Sequence, residues 1–546
     1  MYSLVIKKVK LVDGLGNPWR WADLGIKGER IAAIGRINGE HAERVIQGEG
    51  RVCAPGFIDM HSHADLLFLH PRRQELLEGR IRQGITTEIV GNCGISLAPV
   101  REEDKPALQA SVGWMDPGSV AWSWNSTGEY LAAVEELGPP VNLGTLTGHG
   151  AVRCLAKGFA GGLAEPPELL QMQRALAESL EQGSFGLSCG LIYAPGMFAD
   201  TAELVELGKV VARYDALFTS HIRGSSETLL EAEQELIEVG RRAGCRVHRS
   251  HNEAVGKEHW EKIHTTLAMQ EEARAQGVDI AFDMFPYTAA MTMMVAIYPP
   301  WSLEGGWQRF LERVRDPRTR ERIRQDIENL SPIWPTWREG SWPHNLVGAV
   351  GWENIYLGYV PSPENKQYQG LNLVELGRRL GRSPFDAVTD LMVEEKGALS
   401  QLIFGVSGDR QNEEPLKTIL VHRLGGFATD AVDIGRGQPH PAAYGTYPKI
   451  LGRYVREQGL LGLEDAVRRM TSFPASRLGL RQRGVLAEGY YADMVIFDPQ
   501  TIQDQATYQE PRRFPRGLDY VIVNGRILVE GELLHSVQPG RVLRRQ

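Results

Sequence analysis

Gly56-Phe-Ile-Asp-Met-His61-Ser-His63-Ala-Asp65 is the stretch whose reading decides the fold. An apolar run enters it and a polar cluster leaves it, as where a buried strand ends at a working surface. In extended backbone alternate side chains share a face, so His61 and His63 point the same way and two imidazoles can hold one cation. A His-x-His in a loop carries little information alone. Its weight here comes from further ligand-type side chains at later strand ends.

Downstream, short apolar strands alternate with longer amphipathic stretches, the pattern of parallel βα units. Strands are predicted over 53–60, 87–92, 141–148, 185–189, 216–220, 246–250, 279–284 and 425–429, and eight strands close a barrel. Runs rich in Leu, Ala and Glu over 169–181 and 227–243 read as helices. The gap between the seventh and eighth strands is far longer than one helix needs, and holds Trp301, Trp307, Trp334, Trp337, Trp342 and Trp352. Connections of that length are usually functional or subdomain-like, so 290–345 is read as an insertion near the barrel mouth. A lid and a peripheral or oligomer contact stay equally open for it.

The two chain ends share another texture, β-branched residues broken by glycine, at 3–55, 492–498 and 518–530. Neither piece is large enough for a stable sheet, whereas both together are. The predicted fold class is therefore α/β: a (β/α)8 TIM-like barrel over 55–480 and a small, sandwich-like discontinuous β domain from 1–54 plus 481–546.

Composition narrows the function. At 546 residues the length prior is ~3 domains of roughly 150 residues, which one large barrel plus a smaller domain satisfies. Hydrophobic content of 42% and charged content of 23% argue against long disordered tails. A net charge of −8 without a basic run argues against a nucleic-acid surface. No apolar run approaches the ~18 residues of a membrane span, and the start lacks the apolar core of a signal peptide. A cytoplasmic protein acting on small molecules is expected, with a homo-oligomer left open. Five scattered cysteines, Cys53, Cys93, Cys154, Cys189 and Cys245, form no disulfide framework or zinc ribbon, and most read as packing residues.

In such a barrel the active site lies at the C-terminal ends of the strands. The first strand ends in His61 and His63, the second in Cys93, the fifth in His221, the sixth in His251 and the eighth in Asp430. Each alone has a bland explanation: Cys93 as a small core residue, the histidines as satisfied buried rings, Asp430 as a helix cap. Their joint placement points to a metal. Nitrogen and thiolate ligands favour zinc over magnesium or calcium. A carboxylate such as Asp430 suits proton shuttling beside it.

The ordered motifs extend over nearly the whole chain: Gly56 to Asp65, Val90-Gly-Asn-Cys93-Gly-Ile-Ser, Gly148-His149-Gly, Gly186-Leu-Ser-Cys-Gly-Leu-Ile-Tyr193-Ala-Pro-Gly, Ser220-His221-Ile-Arg223, Ser250-His251, Pro286-Tyr287-Thr-Ala, Tyr444-Gly-Thr-Tyr-Pro and Gly489-Tyr-Tyr-Ala-Asp493. This series resembles the amidohydrolase superfamily, and within it the N-acyl-D-amino-acid deacylases (D-aminoacylases). The resemblance implies one zinc held tightly by Cys93, His221 and His251, a second and weaker site near His61 and His63, and Asp430 as general base and acid. It also implies Tyr193 as a donor to the scissile carbonyl, with plain loop packing the alternative. His149, Arg223, Tyr287, Glu253 and Ala442 fall at substrate-binding positions. Many amidohydrolases bridge two metals with a carboxylated lysine. The fourth strand here has no lysine, which agrees with Cys93 taking that part.

Two departures concern the substrate. The family usually has a lysine two residues after the sixth-strand histidine and an arginine in His-Pro-Arg, which together hold an α-carboxylate. Glu253 and Ala442 stand there instead, and alanine cannot replace a bidentate guanidinium. Glu253 repels a carboxylate, Asp433 could add to that, and Arg223 and Arg436 are candidate stand-ins. A linear amide with a neutral or cationic far end is the expected substrate. Two other readings remain: a cyclic amide or imide hydrolase of the hydantoinase or dihydroorotase kind, which the missing lysine disfavours, and a metal-free interaction protein on the same scaffold, which the intact ligand set disfavours. Amides or esters of N-acyl-D-amino acids are expected to turn over faster than the free acids at matched concentration. A preference for the free acids, measured with purified enzyme, would reject altered specificity.

Overall fold

The computed structural model describes residues 1–38, 42–335, 337 and 340–545. Residues 39–41 and 546 of the expected β domain, and 336, 338 and 339 of the expected insertion, lie outside the described residues. Eight short parallel strands form the barrel: Phe57–Asp59, Ile85–Val90, Asn142–Thr145 continued by Thr147–Gly148, Gly186–Gly190, Leu217–His221, Arg246–Arg249, Ile280–Met284 and Gly425–Phe427. Each pairs with its neighbour in chain order, from the first to the third and from the continued third to the eighth. They are buried almost throughout, as expected of parallel strands covered on both faces. Helices cover them, including Pro166–Glu181, which starts at a Glu165/Glu168 capping box, and Leu229–Ala243, which ends at left-handed Gly244.

The first and eighth strands meet at a seam held largely by side chains. The Asp59 carboxylate accepts hydrogen bonds from the Thr429 amide at 3.0 Å and its hydroxyl at 2.5 Å. The Tyr447 hydroxyl lies 3.3 Å from the carbonyl oxygens of both Ile58 and Phe427, one on each side of the seam. Just beyond, the Asp430 amide donates to the His61 carbonyl at 3.0 Å. Buried Arg80 spans the junction, 3.4 Å from Asp59 and 3.0 Å from the Thr429 hydroxyl. The closure thus fixes Asp430 relative to His61.

The predicted strand over 53–60 is two strands. Val52–Pro55 belongs to the β domain and Phe57–Asp59 to the barrel, with the change of sheet at Gly56. A Cβ at Gly56 would lie 2.2 Å from the Thr86 side chain, so only glycine lets the chain pass from one sheet to the other there. In the β domain, Val52–Pro55 pairs antiparallel with Met494–Phe497, joining the two chain ends in one nine-stranded sheet. Leu4, Ile6, Ile26, Cys53, Met494 and Ile522 pack between them. The last residues leave this domain: the Leu143 amide donates to Arg541 and the Leu543 amide returns to Leu143, so the tail runs along the third barrel strand.

The segment between the seventh and eighth barrel strands is larger than the expected 290–345. Ala289–Met293, Ser400–Phe404 and Ile355–Tyr359 form an antiparallel three-stranded sheet. The helices between them bury a separate core containing Phe310, Ile323, Trp342 and Leu391. Residues after 345 return to pair with its first strand, so the unit extends to about the end of Ser400–Phe404. Asp59→Ala removes the seam acceptor and half-strips a buried arginine of its counter-charge. A loss of about 3 kcal/mol is expected, against about 1 kcal/mol for Tyr447→Phe, measured as shifts of the denaturant unfolding midpoint.

Candidate metal centre

The strand ends bring the six ligand-type side chains together. His61 Nε2 lies 3.2 Å from Cys93 Sγ and 3.1 Å from Asp430 Oδ1, and His63 Nε2 lies 3.3 Å from the same carboxylate oxygen. Cys93 Sγ is 3.7 Å from His251 Nε2, which is 2.7 Å from His221 Nδ1. Two groups result, His61–His63–Cys93–Asp430 and Cys93–His221–His251, with the ligand atoms of each within 4.8 Å of one another. Cys93 belongs to both. A tetrahedral zinc with its usual Zn–S and Zn–N lengths spaces sulfur and nitrogen roughly 3.5 Å apart. Cys93 stands at about that separation from both His61 and His251, so the donor set fits zinc in spacing and in chemistry.

Local backbone explains how the loops reach inward. Cys93, His251 and Asp430 have φ of 52°, 35° and 44°, a left-handed conformation that non-glycine residues adopt at a cost, usually where function requires it. Gly190 of the fourth strand lets the Cys93 loop approach, since a Cβ there would lie 1.9 Å from the Cys93 carbonyl oxygen. That strand, Gly-Leu-Ser-Cys-Gly, carries no lysine.

Burial by itself raises a thiol's pKa, and it pushes Cys53, Cys154 and Cys245 up to about 12. At Cys93 the same burial is outweighed by the charge of His61 and hydrogen bonds from His221, His251 and His61, which hold the thiol well below its ordinary value. Burial is likewise outweighed at Asp430, where His61 and His63 keep the carboxylate ionised. Four of the five cysteines are therefore packing thiols, while Cys93 sits where a thiolate is stable.

Asp283, at the end of the seventh strand, was read from sequence only as part of a strand. Its Oδ1 accepts from the His251 amide at 2.7 Å and lies 3.2 Å from His61 Nδ1, while Oδ2 lies 3.1 Å from His248 Nε2. It orients His61 with Nε2 toward Cys93, the part an outer carboxylate plays for a metal-ligating histidine. The signal was available: an aspartate inside Ile280–Met284, a buried apolar strand, needs a partner.

A small cavity of about 40 Å³ opens beside the cluster, walled by His63, Trp114, Tyr193, Glu253, Thr292 and Asp430 among others. Ala290, Met291, Thr292, His344 and Ile403 roof it from the insertion. The Tyr193 hydroxyl is 2.7 Å from the Thr292 hydroxyl, and its ring centroid is 5.0 Å from that of His221. Glu253 faces the cavity, with Oε1 3.4 Å from His251 Nδ1 and a buried, unpartnered Oε2.

The other residues expected to bind substrate stand off this cavity. Arg223 is buried in a two-point pair with Glu235 of Leu229–Ala243, at 3.0 and 3.1 Å, because a buried guanidinium needs its counter-charge. His149 is held by Glu203 at 2.7 Å. The Tyr287 ring lies beneath Lys449, 3.8 Å from its Nζ, and beside His440. Ala442 is buried, its amide 3.0 Å from His440 Nδ1. Of the charges weighed beside them, Asp433 is neutralised by Arg512 at 2.7 Å and Arg436 caps the Pro117 carbonyl at 2.6 Å. Among the described residues, no arginine or lysine lines the cavity.

Two substitutions separate ligand from support. Cys93→Ala should abolish zinc retention through desalting, read by elemental analysis. Asp283→Ala should leave the site formed but weaken zinc binding ~10–100-fold, read by competition with a chromogenic chelator.

Comparison with known proteins identifies the family. The amidohydrolase family model matches residues 44–321 and 372–529. The chain is 36% identical to the N-acyl-D-glutamate deacylase of Alcaligenes xylosoxydans xylosoxydans over 543 residues, covering 100% of this chain and 96% of the relative. It is 30% identical to the D-aminoacylase of the same organism, covering 100% and 98%. Among solved structures, the N-acyl-D-glutamate deacylase of Bordetella bronchiseptica, complexed with zinc and a phosphonate mimic of the tetrahedral intermediate, superposes with a TM-score of 0.83 at 31% identity over 100% of both chains. No described helix is long and apolar enough to cross a membrane. With its full length matched and its ligand-bearing strand ends in barrel order, the chain belongs to the amidohydrolase family.

Proposed function

We propose that this protein is a zinc-dependent hydrolase of linear amide C–N bonds, D-aminoacylase-like, either an N-acyl-D-amino-acid deacylase or a relative with altered specificity, acting on a small-molecule substrate. The observation that carries the reading is Cys93, common to both ligand groups, with Asp430 against His61 and His63. Cys93, His221 and His251 would hold one zinc tightly, and His61, His63, Cys93 and Asp430 a second, weaker one. Zinc in such a site supplies a Lewis acid and lowers the pKa of a bound water to ~7.

The protein's own groups do the rest. Asp430 is placed to accept the water's proton and return it to the leaving nitrogen. Tyr193 presents a hydroxyl at the cavity wall to the carbonyl oxygen, where negative charge develops. Thr292, 2.7 Å away, steadies it. The insertion roof excludes bulk water and so strengthens these interactions. The cyclic-amide reading is the weaker one, because Gly186–Gly190 offers no lysine to bridge two metals. Glu253 and the absence of arginine and lysine among the described cavity residues favour substrates whose far end carries no carboxylate.

The test is turnover of N-acyl-D- and N-acyl-L-amino acids, their amides and cyclic imides by zinc-loaded enzyme. Asp430→Asn should keep the tight zinc and lose ~10²-fold or more in kcat. Tyr193→Phe should lose ~10²–10³-fold in kcat with zinc content unchanged. Loss of zinc from Asp430→Asn as complete as from Cys93→Ala would overturn the assignment of roles.

A further inference from the structure

A second, larger cavity of about 380 Å³ borders the ligand cluster at Cys93, and Asp430 is not among its lining residues. The two cavities share Cys93, Ile95, Ile192 and Tyr193 as walls. From that junction the channel runs outward between the helix Lys105–Ser111 and the insertion helix Gly306–Arg315. Its walls include Ala107, Phe159, Met293, Leu303 and Trp307, the last stacked on Phe310 with centroids 5.3 Å apart. Apart from Cys93 itself, Glu103 is the one charged side chain among the described lining residues. The channel is therefore apolar and reaches the cysteine that both ligand groups share.

We propose that this channel seats the acyl part of the substrate, and that the enzyme acts on amides of medium-chain or arylalkyl carboxylic acids in preference to acetamides. The inference rests on the deacylase reading above. Its geometric ground is the position of Asp430. The leaving nitrogen must come within reach of that carboxylate, which lines the small cavity and not the channel. The amine portion therefore occupies the small cavity under the insertion roof. The remaining substituent of the carbonyl carbon points the other way, past Cys93 and Tyr193, where the apolar channel begins. An acetyl group would leave the channel unfilled, whereas a chain lying along it removes apolar surface from water at every methylene. At a volume within the usual range of small-molecule sites, the channel is large enough for such a group.

The experiment holds the amine portion constant and compares N-acetyl, N-octanoyl and N-phenylacetyl substrates on zinc-loaded enzyme. Each buried methylene is worth roughly fourfold, so kcat/KM for octanoyl should exceed that for acetyl by ~10²-fold or more. Ala107→Trp, at an exposed helix position on the channel wall, should cut the octanoyl-to-acetyl ratio by ~10-fold or more by filling the outer channel. Titration calorimetry of sodium octanoate against sodium acetate supplies a readout independent of turnover. Octanoate should bind at least ~10-fold more tightly to the wild type, with the difference lost in Ala107→Trp. Equal binding of the two acids, or a kcat/KM that favours acetyl, overturns the channel assignment. Tight, Ala107-dependent octanoate binding with no amide hydrolysed upholds the apolar site and sinks the deacylase reading instead.

Discussion

The structure depends on keeping one sulfur ionised inside a barrel. Burial drives the other cysteines the opposite way, toward neutral thiols, and Cys93 departs from them because three imidazoles converge on it. That convergence needs strand ends from opposite sides of the barrel to meet within a few ångströms. The Asp59 and Tyr447 seam fixes the first strand against the eighth, and Asp283 ties the first-strand histidine to the sixth-strand loop. Left-handed backbone at Cys93, His251 and Asp430 is the conformational cost of aiming three short loops at one point. A cluster of buried thiolate, carboxylate and imidazole groups is stable only when its charges are balanced. On the proposed reading, a divalent cation held by Cys93 and its neighbours would supply that balance.

The ligands and the walls come from different parts of the chain. Every ligand projects from a barrel strand end, whereas the roof of the cavity and much of the channel wall come from the insertion and from the helix Lys105–Ser111. The insertion has its own sheet and core, although Met293, Tyr359 and Ile403 also pack into the barrel core and Met197 and Phe198 of the barrel pack into the insertion. The ligand-type residues thus sit on strand ends while the walls come from loops and the insertion, an arrangement barrels favour because their loops vary while their strands do not.

Much of this was legible in the sequence because parallel strands buried on both faces read as apolar runs, and their last residues are the ones that bear ligands. The six side chains that the structure brings together were legible from that register. Three things did not follow. The strand predicted over 53–60 divides between two sheets at Pro55-Gly56, a turn signal inside an otherwise apolar run that gives no hint of which partner each half takes. The insertion continues past 345 because Ser400–Phe404 returns to pair with Ala289–Met293, a contact fixed by tertiary structure alone. Charge commitments were hidden as well. Nothing local in the sequence pairs Arg223 with Glu235 or Asp433 with Arg512, since both ion pairs are made by tertiary packing. Asp283 was visible but was absorbed into a strand, where a buried carboxylate should have been asked for its partner.

Those hidden pairs bear on what enters the site. Arg223 and Arg512 are spent on Glu235 and Asp433, and Arg436 on a backbone carbonyl. A carboxylate entering the small cavity would meet Glu253 and Asp430 with no arginine or lysine among the described lining residues to grip it. Ala442 leaves no void to be filled by a stand-in, being packed and fully buried with its amide on His440. The unpartnered oxygen of Glu253 asks instead for a donor, which an ammonium or amide N–H supplies and a carboxylate does not. The surroundings of the centre therefore select on two sides at once, for a hydrogen-bond donor near Glu253 and for apolar bulk along the channel beyond Tyr193.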